Sequence, residues 1–161
     1  MRIKKLIDED FVNYKKPCMV LAFPNCTFKC DHECGMSVCQ NSALANSPTI
    51  EIDDSIVVER YMKNKLTSAI CVQGLEPLDD MEMLEKTITT FRGKTDDDIV
   101  IYTGYRKEED KSVLFTSWLF SQNISNIVMK FGRFIPNQKH VFDHVLGVEL
   151  SSDNQMAEAI C

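Results

Sequence analysis

Four short apolar segments, each as long as a β-strand, limit the folds open to this chain more than any other feature. They are rich in the residues that strands favour, valine and isoleucine above all. In chain order they are Cys18–Phe23, Ala69–Gln73, Ile99–Thr103 and Ile127–Phe131. The later segments follow one another at about 30 residues, which is the length of a strand–helix–strand unit. This spacing predicts a parallel sheet with right-handed crossover connections.

Helical patterns fill the gaps between these segments. The clearest is a stripe of apolar residues at the period of one helix face, formed by Met81, Leu84, Ile88 and Phe91. Asp79 and Glu82 are the predicted N-terminal capping pair of this helix, and Gly93 is its predicted C-cap. Two further helices are expected, over Asp53–Asn64 and over Lys107–Gln122.

The last of these expected helices begins with acidic residues. Glu108 and Glu109 lie in its predicted first turn, where negative charge favours the helix dipole. Its predicted i, i+4 contacts join Leu114 to Trp118 and Phe115 to Leu119.

These elements together predict an α/β fold, either a partial (βα) barrel or an open, mostly parallel sheet. A complete eightfold barrel needs roughly 250 residues, and this chain has 161. A chain of this length corresponds to about one domain. We therefore expect a single domain over residues 1–161.

The charge and hydropathy of the chain argue against two classes of partner. The net charge is −6 and the isoelectric point is about 5.1, which does not suit binding to the phosphate backbone of nucleic acids. The longest apolar run, Cys18–Phe23, is far shorter than the roughly 18 residues of a membrane helix. The N-terminal segment turns acidic where a secretion signal needs apolar residues. We expect a cytoplasmic protein that binds neither nucleic acid nor membrane and keeps its cysteines reduced.

The chain contains seven cysteines, and four of them lie on one polar loop directly after the first predicted strand. The four are Cys26, Cys30, Cys34 and Cys39. Thiolates are soft ligands that suit zinc or an iron–sulfur cluster. Structural zinc sites favour cysteines in pairs, whereas these four are evenly spaced, so zinc is the weaker alternative. Cys18 and Cys71 lie inside apolar segments and are expected in the core.

Turns that contain glycine or cysteine follow all four predicted strands. The cysteine loop follows the first, Gly74–Pro77 the second, Gly104 and Tyr105 the third, and Gly132 and Arg133 the fourth. Ligands of parallel α/β sheets bind beyond the carboxyl ends of the strands. The sequence therefore predicts one shared site at this end of the sheet.

The cysteine loop resembles the cluster loop of radical S-adenosylmethionine (SAM) enzymes. Pro24–Cys30 and Val38–Asn41 carry this resemblance, and the whole loop spans residues 24–46. More narrowly, the chain is similar to the family of activating proteins of anaerobic ribonucleoside-triphosphate reductases. Further segments resemble motifs of that family in the same order, namely Gly74–Pro77, Tyr102–Tyr105, Phe131–Phe134 and Ser151–Gln155.

The resemblance implies a [4Fe-4S] cluster with three cysteine ligands and SAM bound at its open iron. Cys26 and Cys30 are two of the implied ligands. Cys39 is the implied third, because the Gln-Asn pair after it matches the family. Cys34 is the alternative third ligand, since neither cysteine has the family's C-x3-C-x2-C spacing. The implied cofactor-binding residues are Val38, Gly74, Leu75, Glu76 and Thr103.

The resemblance gives two of these residues particular roles. Glu76 is expected to accept a hydrogen bond from the methionine ammonium group, and Thr103 to contact the methionine carboxylate or the ribose.

The activity implied is reductive cleavage of SAM to generate a glycyl radical on the large subunit of an anaerobic ribonucleotide reductase. A flavodoxin- or ferredoxin-type protein is the implied electron donor. Alternatives within this class are activation of another glycyl-radical enzyme and radical chemistry on a small molecule. An interaction module without catalysis, stabilised by zinc or an iron–sulfur cluster, is the alternative from a different class.

Overall fold

The computed structural model describes residues 1–161 and has a six-stranded sheet at its centre. The ten strands of the protein are, in chain order, β1 Arg2–Ile3, β2 Lys5–Asp10, β3 Cys18–Phe23, β4 Ile50–Glu51, β5 Ala69–Gly74, β6 Asp98–Tyr102, β7 Ile127–Phe131, β8 Val141–Asp143, β9 Val148–Leu150 and β10 Met156–Ala159. The order in the central sheet is β10-β7-β6-β5-β3-β2. The four inner strands are parallel to one another, and β2 and β10 close the two edges in antiparallel pairing. The protein is therefore a mixed α/β fold with a mostly parallel sheet.

Five α-helices connect these strands. They are α1 Lys29–Cys34, α2 Ser42–Ala45, α3 Asp54–Lys63, α4 Met81–Arg92 and α5 Asp110–Ser121, and a 3₁₀ turn over Pro77–Asp80 leads into α4. The remaining strands form two antiparallel ribbons, β1 with β4 and β8 with β9. None of the helices is both long enough and apolar enough to cross a membrane.

The four predicted strands are confirmed to within one residue at each end. Every residue of β3 and β7 is buried, because helices or loops cover both faces of these inner strands. Because both faces of these strands are buried, their sequences are continuous apolar runs and do not alternate between apolar and polar residues. The edge strand β2 has the sequence Lys-Leu-Ile-Asp-Glu-Asp, and its polarity explains why it was not predicted.

The helices α3, α4 and α5 cover one face of the sheet around the larger of two cores. The predicted stripe of α4 is confirmed there, since Leu84, Ile88 and Phe91 are fully buried. Gly93 is the C-cap of α4, as expected. Asp53 caps α3 by accepting a hydrogen bond from the backbone N–H of Ser55.

The opposite face of the sheet carries a smaller core. Tyr14 and Leu146 pack there against side chains of the inner strands. Cys18 and Cys71 are completely buried in this core, which confirms the prediction that they are core residues.

The predicted N-terminal cap of α4 is wrong. The residue at the cap position is Asp80, and no side chain caps the helix. The carboxylate of Asp79 instead accepts hydrogen bonds from the backbone N–H of Thr27, at 2.7 Å, and from the hydroxyl of Tyr105, at 2.6 Å. Asp79 thus ties the cysteine loop to the turn after β6, a long-range role that a local capping pattern does not reveal.

The helix α5 is shorter than predicted. It begins at Asp110, so Glu108 lies outside it and Glu109 is the residue at the N-cap. Phe115 and Leu119 are buried, whereas Leu114 is 62% exposed and contributes nothing to the core. Glu109 has an extended backbone, with φ −75° and ψ 145°, and its side chain binds Arg106 and Arg133 outside the helix.

Candidate functional site

A cavity of about 320 Å³ lies at the carboxyl ends of the parallel strands. The turns after β5, β6 and β7 all contribute to its lining, as does the cysteine loop after β3. Their contributions include Gly74–Glu76, Gly104 and Gly132. The geometry of a parallel sheet brings these turns together, as the sequence predicts.

Three of the four loop cysteines line this cavity. They are Cys26, Cys30 and Cys39, and each is partly buried. Cys34, at the last position of α1, does not line it. The structure thus separates the four thiols into three that share the cavity and one that lies outside it.

The carboxylate of Asp31 determines the position of Cys39. Its Oδ1 accepts hydrogen bonds from the backbone N–H groups of Val38 and Cys39, each at 2.8 Å. Asp31 follows Cys30 directly, so these bonds close the loop after α1 and return Cys39 to the neighbourhood of Cys30. Val38 takes part in this closure but does not line the cavity.

Burial makes two of the cavity thiols poor acids. It raises the pKa of Cys26 to about 12, with nearby carboxylates adding to the effect. It also raises the pKa of Cys30, and the neighbouring thiol of Cys39 is the next contributor. Thiolates at these positions need positive charge beside them, such as a metal supplies.

The residues present fit an iron–sulfur cluster in donor chemistry. No three His, Cys, Asp or Glu side chains converge closely enough to form a metal site by themselves. The cavity nevertheless offers three soft sulfur donors, which suit a group that binds thiolates. Cys26, Cys30 and Cys39 are the residues that would hold such a group.

Gly74 allows two strands to lie unusually close together where β5 ends. Its φ is +110°, and a Cβ at this position would lie 2.6 Å from the backbone nitrogen of Phe23. Only glycine tolerates both conditions. The carbonyl of Gly74 accepts a hydrogen bond from Asn41 at 2.8 Å, so the cysteine loop holds this turn as well.

Glu76 is a buried carboxylate at the wall of the cavity, with 5% of its surface exposed. Its Oε1 accepts hydrogen bonds from the N–H of Leu78 and the hydroxyl of Thr103, and its Oε2 accepts one from the N–H of Gly104. A carboxylate has about four acceptor positions, so one remains open. Burial outweighs these bonds and raises the pKa of Glu76 to about 7.

Two other predicted cofactor-binding residues line the same cavity. Leu75 does so beside Glu76, and its backbone N–H donates to the carbonyl of Phe23 at 3.2 Å. Thr103 also lines it, but its single hydroxyl hydrogen is donated to Glu76 at 2.7 Å. A Thr103 used in this way positions Glu76 and has no hydrogen left to donate to a carboxylate.

Lys130 is a residue of the site that the sequence reasoning missed. It is 7% exposed, lines the cavity near the end of β7, and donates to the carbonyl of Gly132 at 2.7 Å. The available signal was a charged residue inside the apolar segment Ile127–Phe131, because lysine is almost never fully buried without a reason.

Arg133 closes one side of the cavity in a fixed ion pair. Its two terminal nitrogens donate to the carboxylate of Glu109 at 2.8 and 2.7 Å. This pairing lowers the pKa of Glu109 to about 2. Lys29 and Glu33 of α1 join the network through Glu109 and Arg133, so charged contacts hold the cysteine loop against the turns after β6 and β7.

Most of the predicted site residues thus lie together at one end of the sheet, and Val38 and Cys34 are the exceptions. Comparison of the chain with protein-family models, with curated proteins and with solved structures finds no match in any of the three.

Proposed function

We propose that this protein is a radical SAM iron–sulfur protein that generates a glycyl radical on a partner enzyme, with an anaerobic ribonucleotide reductase as the partner. The observation that carries the proposal is the shared cavity, where three cysteine thiols meet the turns after three parallel strands. In this proposal the mostly parallel sheet is a partial barrel of the radical SAM type.

The three cavity thiols are the proposed cluster ligands. Three thiolates for four irons leave one iron without a protein ligand, as a substrate-binding cluster requires. Cys39 is preferred over Cys34 as the third ligand, because Cys39 lines the cavity and Cys34 does not.

The turn after β5 is the proposed site for the amino-acid end of SAM. Gly74 lines the cavity, and its lack of a side chain lets this turn lie directly against the backbone of Phe23. The open acceptor position of Glu76 is available for an ammonium group, and a hydrogen bond to a charged carboxylate is among the stronger kinds.

A cluster held by Cys26, Cys30 and Cys39 would supply the one electron needed for reductive cleavage of SAM. The products would be methionine and 5′-deoxyadenosine, the latter carrying a hydrogen taken from the partner's glycine. A flavodoxin- or ferredoxin-type protein is the proposed source of the electron. The chain's own residues position SAM and exclude water.

The surroundings of the cavity favour a protein as the substrate. Val12, which lines the cavity, is 73% exposed, and the adjacent Phe11 is 65% exposed. We assign this adjacent pair of exposed apolar side chains to the contact with the partner protein.

Anaerobic reconstitution with iron and sulfide tests the proposal. We expect about four irons per chain, and 5′-deoxyadenosine on reduction in the presence of SAM. With the reductase present, an EPR signal of a glycyl radical should follow. A colourless protein that holds one zinc ion and never cleaves SAM would overturn the proposal in favour of an interaction module.

Serine substitutions test the choice of the third ligand. Cys39→Ser should lose the cluster and SAM cleavage, while the matched control Cys34→Ser keeps both. The opposite pattern would make Cys34 the ligand.

A further inference from the structure

The sulfur of Cys26 accepts a hydrogen bond from the backbone of the cysteine loop. The N–H of Phe28 donates to Sγ of Cys26 at 3.2 Å. Cys26 lines the cavity and is the first of the three proposed cluster ligands. The chain itself therefore supplies a hydrogen-bond donor to the sulfur of a proposed ligand.

Phe28 makes this bond from an unusual backbone conformation. Its φ is +52° and its ψ is +38°, a left-handed conformation that residues with a Cβ seldom adopt. Its carbonyl accepts hydrogen bonds from the N–H groups of Asp31 and His32, both at 3.1 Å, at the start of α1. The left-handed residue thus contacts the sulfur of Cys26 with its N–H and begins the helix that carries Cys30 with its carbonyl.

Asp79 holds the residue before Phe28 in place. Its Oδ2 accepts the N–H of Thr27 at 2.7 Å, and its Oδ1 accepts the hydroxyl of Tyr105 at 2.6 Å. Tyr105 is buried, so the carboxylate is anchored on a fixed side chain. A residue in a rare conformation persists only where its surroundings determine it, and such residues cluster at functional sites.

We propose that Phe28 is a positioning residue whose N–H, directed at the sulfur of Cys26, makes the cluster easier to reduce. The inference rests on the proposed function, in which Cys26, Cys30 and Cys39 hold that cluster. Hydrogen bonds to the ligand sulfurs are among the factors that set the reduction potential of an iron–sulfur cluster. Because an N–H donor stabilises the more negatively charged state, this bond raises the potential.

The electron transfer that this bond favours is the one that the proposed reaction needs first. A reduced flavodoxin- or ferredoxin-type donor loses one electron, the group held by the three thiols gains it, and no bond forms or breaks. A higher reduction potential lets a given donor reduce a larger fraction of the protein.

Replacement of the Phe28 N–H by an ester oxygen tests the inference. Phenyllactic acid in place of Phe28, introduced by nonsense suppression, keeps the side chain and removes the donor. The matched control is the hydroxy-acid analogue of methionine in place of Met36, an exposed residue of the same loop whose N–H has no backbone partner.

The reduction potential is measured by EPR-monitored redox titration of the anaerobically reconstituted proteins. At a fixed applied potential, the ester at Phe28 should lower the ratio of reduced to oxidised cluster about tenfold, which for one electron is a shift of about 59 mV to lower potential. The ester at Met36 should leave the ratio within about twofold of wild type.

A second measurement uses ordinary amino acids, so it holds even where the ester protein does not fold. Labelling with ¹⁵N-phenylalanine marks the backbone nitrogens of all nine phenylalanines. Electron spin echo envelope modulation (ESEEM) of the reduced cluster should show a ¹⁵N coupling, because the hydrogen bond brings the nitrogen of Phe28 close to the unpaired spin. Phe28→Leu keeps the N–H but carries no label, so the coupling should disappear.

Two results overturn the inference and leave the proposed function standing. One is an ester at Phe28 that titrates like the ester at Met36. The other is a ¹⁵N coupling that is absent from wild type or that persists in Phe28→Leu. A reconstituted protein that holds no iron–sulfur cluster overturns the proposed function and this inference together, whereas a cluster that shows both effects of Phe28 but never cleaves SAM overturns the proposed function alone.

Discussion

The hydroxyl of Thr103 donates a hydrogen bond to Oε1 of Glu76 at 2.7 Å, and this bond joins the end of β6 to the turn after β5. The same hydroxyl oxygen accepts a bond from the N–H of Tyr105 at 3.0 Å. The side chain of Thr103 therefore fixes the position of the Glu76 carboxylate and of the turn that carries Tyr105. The position of Glu76 depends on the neighbouring strand, which the sequence around Glu76 does not indicate.

Thr103→Val should lower the free energy of unfolding by about 1–3 kcal/mol, because the buried carboxylate and the N–H of Tyr105 both lose a partner. Thr103→Ser keeps the hydroxyl and should lose much less. Urea unfolding of both variants measures the difference. Equal losses for valine and serine would mean that packing of the methyl group, rather than the hydrogen bond, sets the cost.

The stability of the protein should depend on the protonation of Glu76. Its pKa is raised from 4.5 to about 7 in the folded state, with burial as the main cause, so the folded protein binds this proton more tightly than the unfolded chain. The resulting stabilisation is complete below pH 4.5, declines as the pH rises through 7, and is on the order of 3 kcal/mol.

Glu76→Gln removes this titration. The difference in unfolding free energy between wild type and variant should therefore change between pH 4.5 and 8, in favour of the variant as the pH rises. Urea unfolding across this range measures it. A difference that stays constant with pH would contradict the raised pKa.

Gly74→Ala should be among the most damaging single substitutions in this chain. A Cβ there would lie 2.6 Å from the backbone of Phe23, and φ is +110°, so both crowding and backbone strain add to a cost of roughly 3–5 kcal/mol. Gly35→Ala is the matched control, because Gly35 also has a positive φ, of +64°, but has no atom within 4 Å of the added methyl group.

Gly35→Ala should cost only about 1–2 kcal/mol, the penalty for a left-handed residue. Thermal or urea unfolding of the two variants compares them directly. Similar losses would show that the close contact of β5 with β3 relaxes easily.

Glu109→Gln should destabilise the turn after β7. Arg133 is almost fully buried and both of its terminal nitrogens bind this carboxylate. Because this change removes the carboxylate's charge and leaves the buried guanidinium with only its 3.4 Å contact to Glu33, we expect a loss of about 2–4 kcal/mol. Glu108→Gln, at an exposed neighbour without an ion pair, should stay within about 0.5 kcal/mol of wild type. Equal losses of unfolding free energy in the two variants would show that the pair of Glu109 with Arg133 does not stabilise the protein.

The inner strands could be predicted from the sequence, and the edges of the sheet could not. An inner parallel strand such as Ile127–Phe131 is buried on both faces, so its composition alone identifies it. The edge strands Lys5–Asp10 and Met156–Ala159 are polar or short, and their pairing depends on neighbours far away in the chain.

The candidate site also has one part that the sequence predicts and another part that it does not. The meeting of the cysteine loop with the strand-end turns follows from the sequence, because parallel strands place their carboxyl ends at one edge of a sheet. The presence of Cys39 rather than Cys34 at the cavity depends on the folded loop, which Asp31 closes through hydrogen bonds to two backbone N–H groups. The three-dimensional fold also leaves Lys130 buried in the cavity without a carboxylate partner, while Arg133 is paired with Glu109. Glu109 and Arg133 lie on different turns, so a local residue pattern does not reveal their pairing. The lysine inside an apolar segment marks Lys130 as unusual, but the segment does not show which groups surround it.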